Sequence, residues 1–165
     1  MHHFLLDASA LGKRYAPEPG TPIVNQLFST VPHHRLLVLT HTIAETFSIA
    51  VRRRNAGTLS EDAYRRAWRV LHRELILRSG VRLLPTDDAR VITSLPLIER
   101  HSINATDALI LQSALDEATA LRQGGHDLVL VASDRRLLRA AAAEGLDVLD
   151  PETIAPAHVA QLAAS

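Results

Sequence analysis

The chain has 165 residues, of which 47% are hydrophobic and 22% charged, as in one soluble globular domain that buries about 70% of its unfolded surface without staples. It has no cysteine, which excludes disulfides and every thiolate nucleophile or metal site and fits a reducing compartment. Lys+Arg and Asp+Glu balance at 18 each, so a nucleic-acid partner has to be held by a local patch and a general coating role is excluded.

In chain order, the opening MHHFLLDASAL reaches a charge too early for a signal peptide. No later apolar run approaches the ~20 residues of a membrane span, so a soluble, cytoplasmic protein is expected. Short Leu/Val-rich runs at Phe4–Leu6, Leu36–Leu39, Val81–Leu84, Leu128–Val131 and Leu146–Leu149 are strand-length and largely unalternating, as in strands covered on both faces. The Pro/Gly-rich stretch Ala16–Pro22 reads as a loop. Helical patterns run from about Ile43 to Arg54 and from about Ser60 to Arg78, the latter with Ala63, Ala67, Val70, Leu71 and Leu75 on one stripe. Others run near Asp88–His101, Asn104–Arg122 and Arg135–Glu144, with Gly80, Gly124-Gly125 and Gly145 where C-caps belong. Strands alternating with helices predict one α/β domain, a parallel sheet with helices on both faces.

Four acids stand at the ends of hydrophobic runs and at helix starts: Asp7, Glu45, Asp107 and Asp134. Each has a capping explanation. Glu45 lies three residues after Thr42 in capping-box spacing, Asp107 three after Asn104, and Asp7 and Asp134 suit N-caps. As a set they point elsewhere, because a parallel sheet gathers strand ends and helix starts along one edge, where ligands of such sheets bind. Carboxylates crowded there repel unless hard divalent cations join them. Asp87-Asp88 reads as an N-cap, and Asp127 and Asp147 as solvated residues at the opposite edge.

At these residues the chain resembles the PIN-domain nucleases, most closely the VapC-type toxins of toxin–antitoxin pairs. DASALGKRY is similar to the first motif, TIAETFS to the second, NATDALILQSAL to the third and VASDRRL to the last, with Ser133 where Thr is more usual. The resemblance covers residues 1–150, leaving 151–165 as a short extension of the same domain. It implies five parallel strands in the order 3-2-1-4-5 and an endoribonuclease leaving 5′-phosphate and 3′-hydroxyl ends.

On that resemblance Asp7, Glu45, Asp107 and Asp134 are the expected catalytic residues, holding one or two Mg²⁺ or Mn²⁺ ions that activate water and stabilise the leaving oxygen. Ser9 and Ser133 are expected to orient those ligands. Lys13, Arg14, Arg135 and Arg136 are the candidates for holding RNA, with Arg52-Arg53-Arg54 also near that edge. One Trp and two Tyr leave little for base stacking, so phosphate contact should dominate. The implied partners are RNA, a small antitoxin and a second copy of the chain, with the Ser60–Arg78 stripe as a possible contact. His2-His3 and His33-His34 read as surface or loop residues, with no H-E-x-x-H or G-x-S-x-G motif in the chain. Three alternatives stay open: a non-toxin PIN nuclease in RNA processing, a binding module whose acids only cap helices, and a haloacid-dehalogenase-type phosphatase, which Ser9 disfavours by standing where that family has a second acid.

Overall fold

Leu36–Leu39 is buried at every position and leaves no strand face for solvent, which forces helices onto both sides of the sheet. A computed structural model of the chain describes residues 1–77 and 80–164. Its strands are β1 (His2–Leu6), β2 (Leu36–Leu39), β3 (Arg82–Leu84), β4 (Asp127–Val131) and β5 (Asp147–Leu149). Its helices are α1 (Ala8–Tyr15), α2 (Thr21–Thr30), α3 (Thr40–Asn55), α4 (Glu61–Leu71), α5 (Asp88–His101), α6 (Ala105–Gln123), α7 (Arg135–Ala143) and α8 (Pro156–Ala164). All pairings are parallel and the order is β3-β2-β1-β4-β5, the one the resemblance implies.

Period-two alternation divides the interior into two cores. Phe4, Leu6, Leu36, Val38, Val129 and Val131 point to the side carrying α1, α2, α4 and α8. Leu5, Leu37, Leu39, Leu128 and Leu130 point to the side carrying α5, α6 and α7. The doubly wound order places the ends of β1 and β4 side by side at the centre, pairing Leu6 with Val131.

Several elements differ from the sequence pattern. The helix α2 begins inside the stretch read as the Ala16–Pro22 loop, with Pro22 in its first turn and Gly20 as N-cap at φ +88°. A Cβ at Gly20 would lie 3.0 Å from Pro151, so both the backbone angle and the close approach require glycine. The helix α3 starts at Thr40, directly after β2, so Thr42 and Glu45 form no capping box; Thr42 is buried and Glu45 falls in the second turn. The pattern expected over Ser60–Arg78 is a shorter α4 capped by Ser60, followed by a π-helical turn over His72–Leu77. Arg78 lies outside the described residues. On this segment Ala67, Leu71 and Leu75 are buried in the domain's own core, which removes them from any intermolecular contact.

The segment after residue 150 is structural. Val159 of α8 is fully buried, and Gln26 Nε2 donates to the Pro156 carbonyl at 3.1 Å. The buried Arg35 guanidinium donates to the carbonyls of His2 (2.7 Å) and Ala163 (3.0 Å), closing the C-terminal end of α8. His3 is also buried, contrary to the surface reading; burial first, then Arg35, pushes its imidazole down to about 4.

Candidate active site

The four acids arrive on four different helices, three of them at or within one turn of the helix start. Asp7 ends β1 and caps α1, its Oδ2 accepting from the Ser9 amide at 3.0 Å and the Ser9 hydroxyl at 2.6 Å. Asp134 follows β4 and caps α7, its Oδ1 accepting from the amides of Arg136 (2.7 Å) and Leu137 (3.3 Å). Asp107 stands in the first turn of α6, where the cap is Asn104, whose Oδ1 accepts from the Asp107 amide at 2.8 Å. Glu45 projects from the second turn of α3, with His41 Nε2 3.9 Å from its Oε1.

Capping therefore accounts for one oxygen of Asp7 and one of Asp134. It accounts for nothing about the other two carboxyls. Asp107 is 8% exposed, and its Oδ2 accepts no hydrogen bond among the described residues. Burial, then the charges of Asp134 and Asp7, push its carboxyl up to about 6, with Glu45 adding to the rise and Arg136 opposing it. Glu45 is also raised, by burial first and then by Asp7, with His41 and Arg52 opposing. The four carboxyls thus share one electrostatic field although residues 7 and 134 are far apart in sequence.

An orphaned buried carboxylate oxygen facing three further acids is a cation-attracting arrangement, and an all-carboxylate donor set fits hard divalent ions. Among the described residues, no group of three or more His, Asp or Glu side chains is drawn together as a preformed cage. On this donor chemistry Asp7, Asp107, Glu45 and Asp134 fit a metal.

Ser9 is the hub of the site's hydrogen bonding. Its hydroxyl donates to Asp7 and accepts from the Ser133 amide at 2.9 Å, tying the β1–α1 turn to the β4–α7 turn. The Ser133 hydroxyl donates to Asp150 Oδ1 at 3.3 Å. Asp150 was missed by the sequence reading. It follows β5, and only the Asp-Pro turn signal in LDPE marked the spot.

The basic candidates separate into two pairs. Lys13 is 2% exposed and pairs with Glu152 (2.6 Å) and Glu18 (3.2 Å), which corrects the expectation that it contacts RNA: both faces of its ammonium are taken. Arg14 is corrected likewise. It forks onto Glu74 through two 2.7 Å hydrogen bonds, and its guanidinium lies 4.3 Å from the Phe28 ring centroid. Arg53 is held by Glu18 and the Ala16 carbonyl, and Arg54 stacks on Tyr64. Arg135 and Arg136 are exposed beside the acids, Arg136 reaching within 3.7 Å of Asp134 Oδ2. As expected, Asp87 caps α5, and Asp127 lies at the opposite edge, where it accepts from Arg122.

The PIN domain family model matches residues 4–143. No curated protein sequence matches the chain. Solved structures match over nearly their whole length. PAE2754 from Pyrobaculum aerophilum is 21% identical with a TM-score of 0.63, covering 99% of this chain and 96% of its own. VapC20 of Mycobacterium tuberculosis, described as a sarcin–ricin loop cleaving toxin, is 17% identical with a TM-score of 0.59, covering 87% and 95%. FitAcB from Neisseria gonorrhoeae is 22% identical with a TM-score of 0.55, covering 92% and 99%.

Proposed function

The chain belongs to the PIN domain family, and from that premise we propose that it is a divalent-metal-dependent endoribonuclease, the toxin of a toxin–antitoxin pair. The observation that carries this reading is Asp107, a buried carboxyl whose Oδ2 has no donor among the described residues and which is raised by burial first and then by Asp134, Asp7 and Glu45. The likeness to VapC20 supports RNA as the substrate.

Asp7 and Asp107 would hold the ion directly, with Glu45 and Asp134 completing a set for one or two Mg²⁺ or Mn²⁺ ions. Bound there, the ion supplies Lewis acidity at neutral pH for attack on a phosphodiester. Ser9 fixes which oxygen of Asp7 is free, because its amide and hydroxyl both occupy Oδ2. Asn104 sets the first turn of α6 and so aims Asp107. Arg135 and Arg136 hold the RNA backbone at the rim. Among the described residues no helix is long and apolar enough to cross a membrane.

A small antitoxin and a second copy of the chain are the proposed partners. The exposed Trp68, Ile76 and Leu83 line an apolar cleft of about 400 Å³ with Phe47, and this face, not the buried Ala67–Leu75 stripe, is the one proposed for self-association. A monomeric mass in solution would count against it. The central test is cleavage of RNA with Mg²⁺ or Mn²⁺, alongside growth on induced expression. Asp7→Asn and Asp107→Asn should abolish cutting and growth arrest, and either variant cutting as well as wild type overturns the assignment.

A further inference from the structure

Asp7 Oδ2 is bound twice by Ser9, while its Oδ1 accepts no hydrogen bond among the described residues. How Ser9 holds that carboxylate depends on its own hydroxyl. The single proton goes to Asp7 at 2.6 Å, and the remaining lone pairs face the Ser133 amide at 2.9 Å. The direction of that amide is set by a three-residue turn, 132–134, that belongs to no strand or helix. Two contacts from the end of β5 hold this turn beneath the site: the Ala132 amide donates to the Leu149 carbonyl at 3.1 Å, and the Ser133 hydroxyl donates to Asp150 Oδ1 at 3.3 Å.

Asp150 is itself held. The same Oδ1 accepts from the Glu152 amide at 2.9 Å, closing a side-chain turn over 150–152. Glu152 grips Lys13 on α1 at 2.6 Å, and Lys13 stands four residues from Ser9, on the same helix face. Pro151 closes against Gly20. The turn after β5 therefore touches the β4–α7 turn, α1 and the start of α2 at once. Ser9, Lys13, Ser133, Asp134 and Glu152 line one polar cleft of about 380 Å³ beside the acids.

We propose that Asp150 is a positioning residue for Asp7, acting through Ser133 and Ser9. It holds the Ser133 amide against Ser9, Ser9 in turn holds Asp7 Oδ2, and Oδ1 is left available to a cation. This inference rests on the metal-dependent reading above. Asp150 touches neither substrate nor ion; it acts through two hydrogen-bonded links.

The test is the Mn²⁺ affinity of the full chain by titration calorimetry, with the thermal midpoint recorded for each variant. Asp150→Ala and Ser133→Ala should each weaken Mn²⁺ by ~10-fold, the scale seen when an outer partner of a metal ligand is removed. Asp150→Asn keeps an oxygen for both donors and should stay within ~2-fold of wild type. Arg35→Met, at the far pole of the sheet, is the control for general destabilisation: a lower midpoint with unchanged Mn²⁺ affinity. Asp150→Ala binding Mn²⁺ like wild type, or losing no more than Arg35→Met, overturns the positioning role alone. A wild-type chain that takes no Mn²⁺ overturns the metal reading and this role with it.

Discussion

Replacing Asp107 by asparagine should stabilise the metal-free protein while destroying its response to metal. The wild-type carboxyl is buried, accepts no hydrogen bond at Oδ2 among the described residues, and is pushed up by burial and its acidic neighbours from its ordinary 3.8 to about 6. Its folded value lies above the unfolded one, so between pH 3.8 and about 6 the folded state binds more protons than the unfolded state. Stability from this group is complete below that window and is lost as pH rises through it. The gap of about 2 pH units corresponds to at most about 3 kcal/mol. Asparagine has the same shape and no charge, and its amide can donate toward the neighbouring carboxylates, so it escapes the penalty. For a domain of this size, each kcal/mol moves the midpoint by about 2–4 °C, giving a rise of up to about 12 °C at pH 8 in chelator. At pH 4 the two proteins should melt nearly together. Adding Mn²⁺ at pH 8 should raise the wild type, because the ion binds only the folded form, and should leave Asp107→Asn almost unmoved. The reasoning fails if Asp107→Asn melts below wild type at pH 8 without metal, since the carboxylate would then be stabilising where it lies.

Two further outcomes follow from the basic residues. Lys13→Met should lower stability by about 2 kcal/mol in urea denaturation, because it leaves Glu152 without its cation beside Glu18, which keeps only Arg53, while their partial exposure limits the cost; unchanged stability with weakened RNA binding would restore Lys13 to the RNA interface. Arg135→Gln combined with Arg136→Gln should flatten the salt dependence of RNA binding, each lost phosphate contact lowering the slope by about 0.7 on single strands. Filter binding across ionic strengths measures this, and an unchanged slope would make both residues part of a solvated helix face.

Much of this protein was legible locally. Leu36–Leu39 and the run around Leu128–Val131 announce covered strands because burial on both faces permits no polar position. Asp87, Ser60 and Asn104 announce helix starts because a short side-chain acceptor there satisfies free amides. The placement of Asp7, Asp107 and Asp134 at helix starts was legible for the same reason, because strand ends and helix starts are local events. What local pattern misled on were α2, hidden behind a Pro/Gly-rich approach, and the Thr42–Glu45 spacing, which β2 overrode by running straight into α3.

Partnership was decided only by the tertiary structure. In sequence Lys13 and Arg14 are as basic as Arg135 and Arg136, yet the first two are bound by Glu18, Glu152 and Glu74, up to 139 residues away, and the last two remain exposed. Asp150 is an ordinary turn residue until the parallel order sets β5 beside β4 and brings its oxygen to Ser133. A side chain's composition states what charge and hydrogen bonds it offers. Which are already spent depends on contacts between segments distant in the chain, and those exist only once the sheet has assembled.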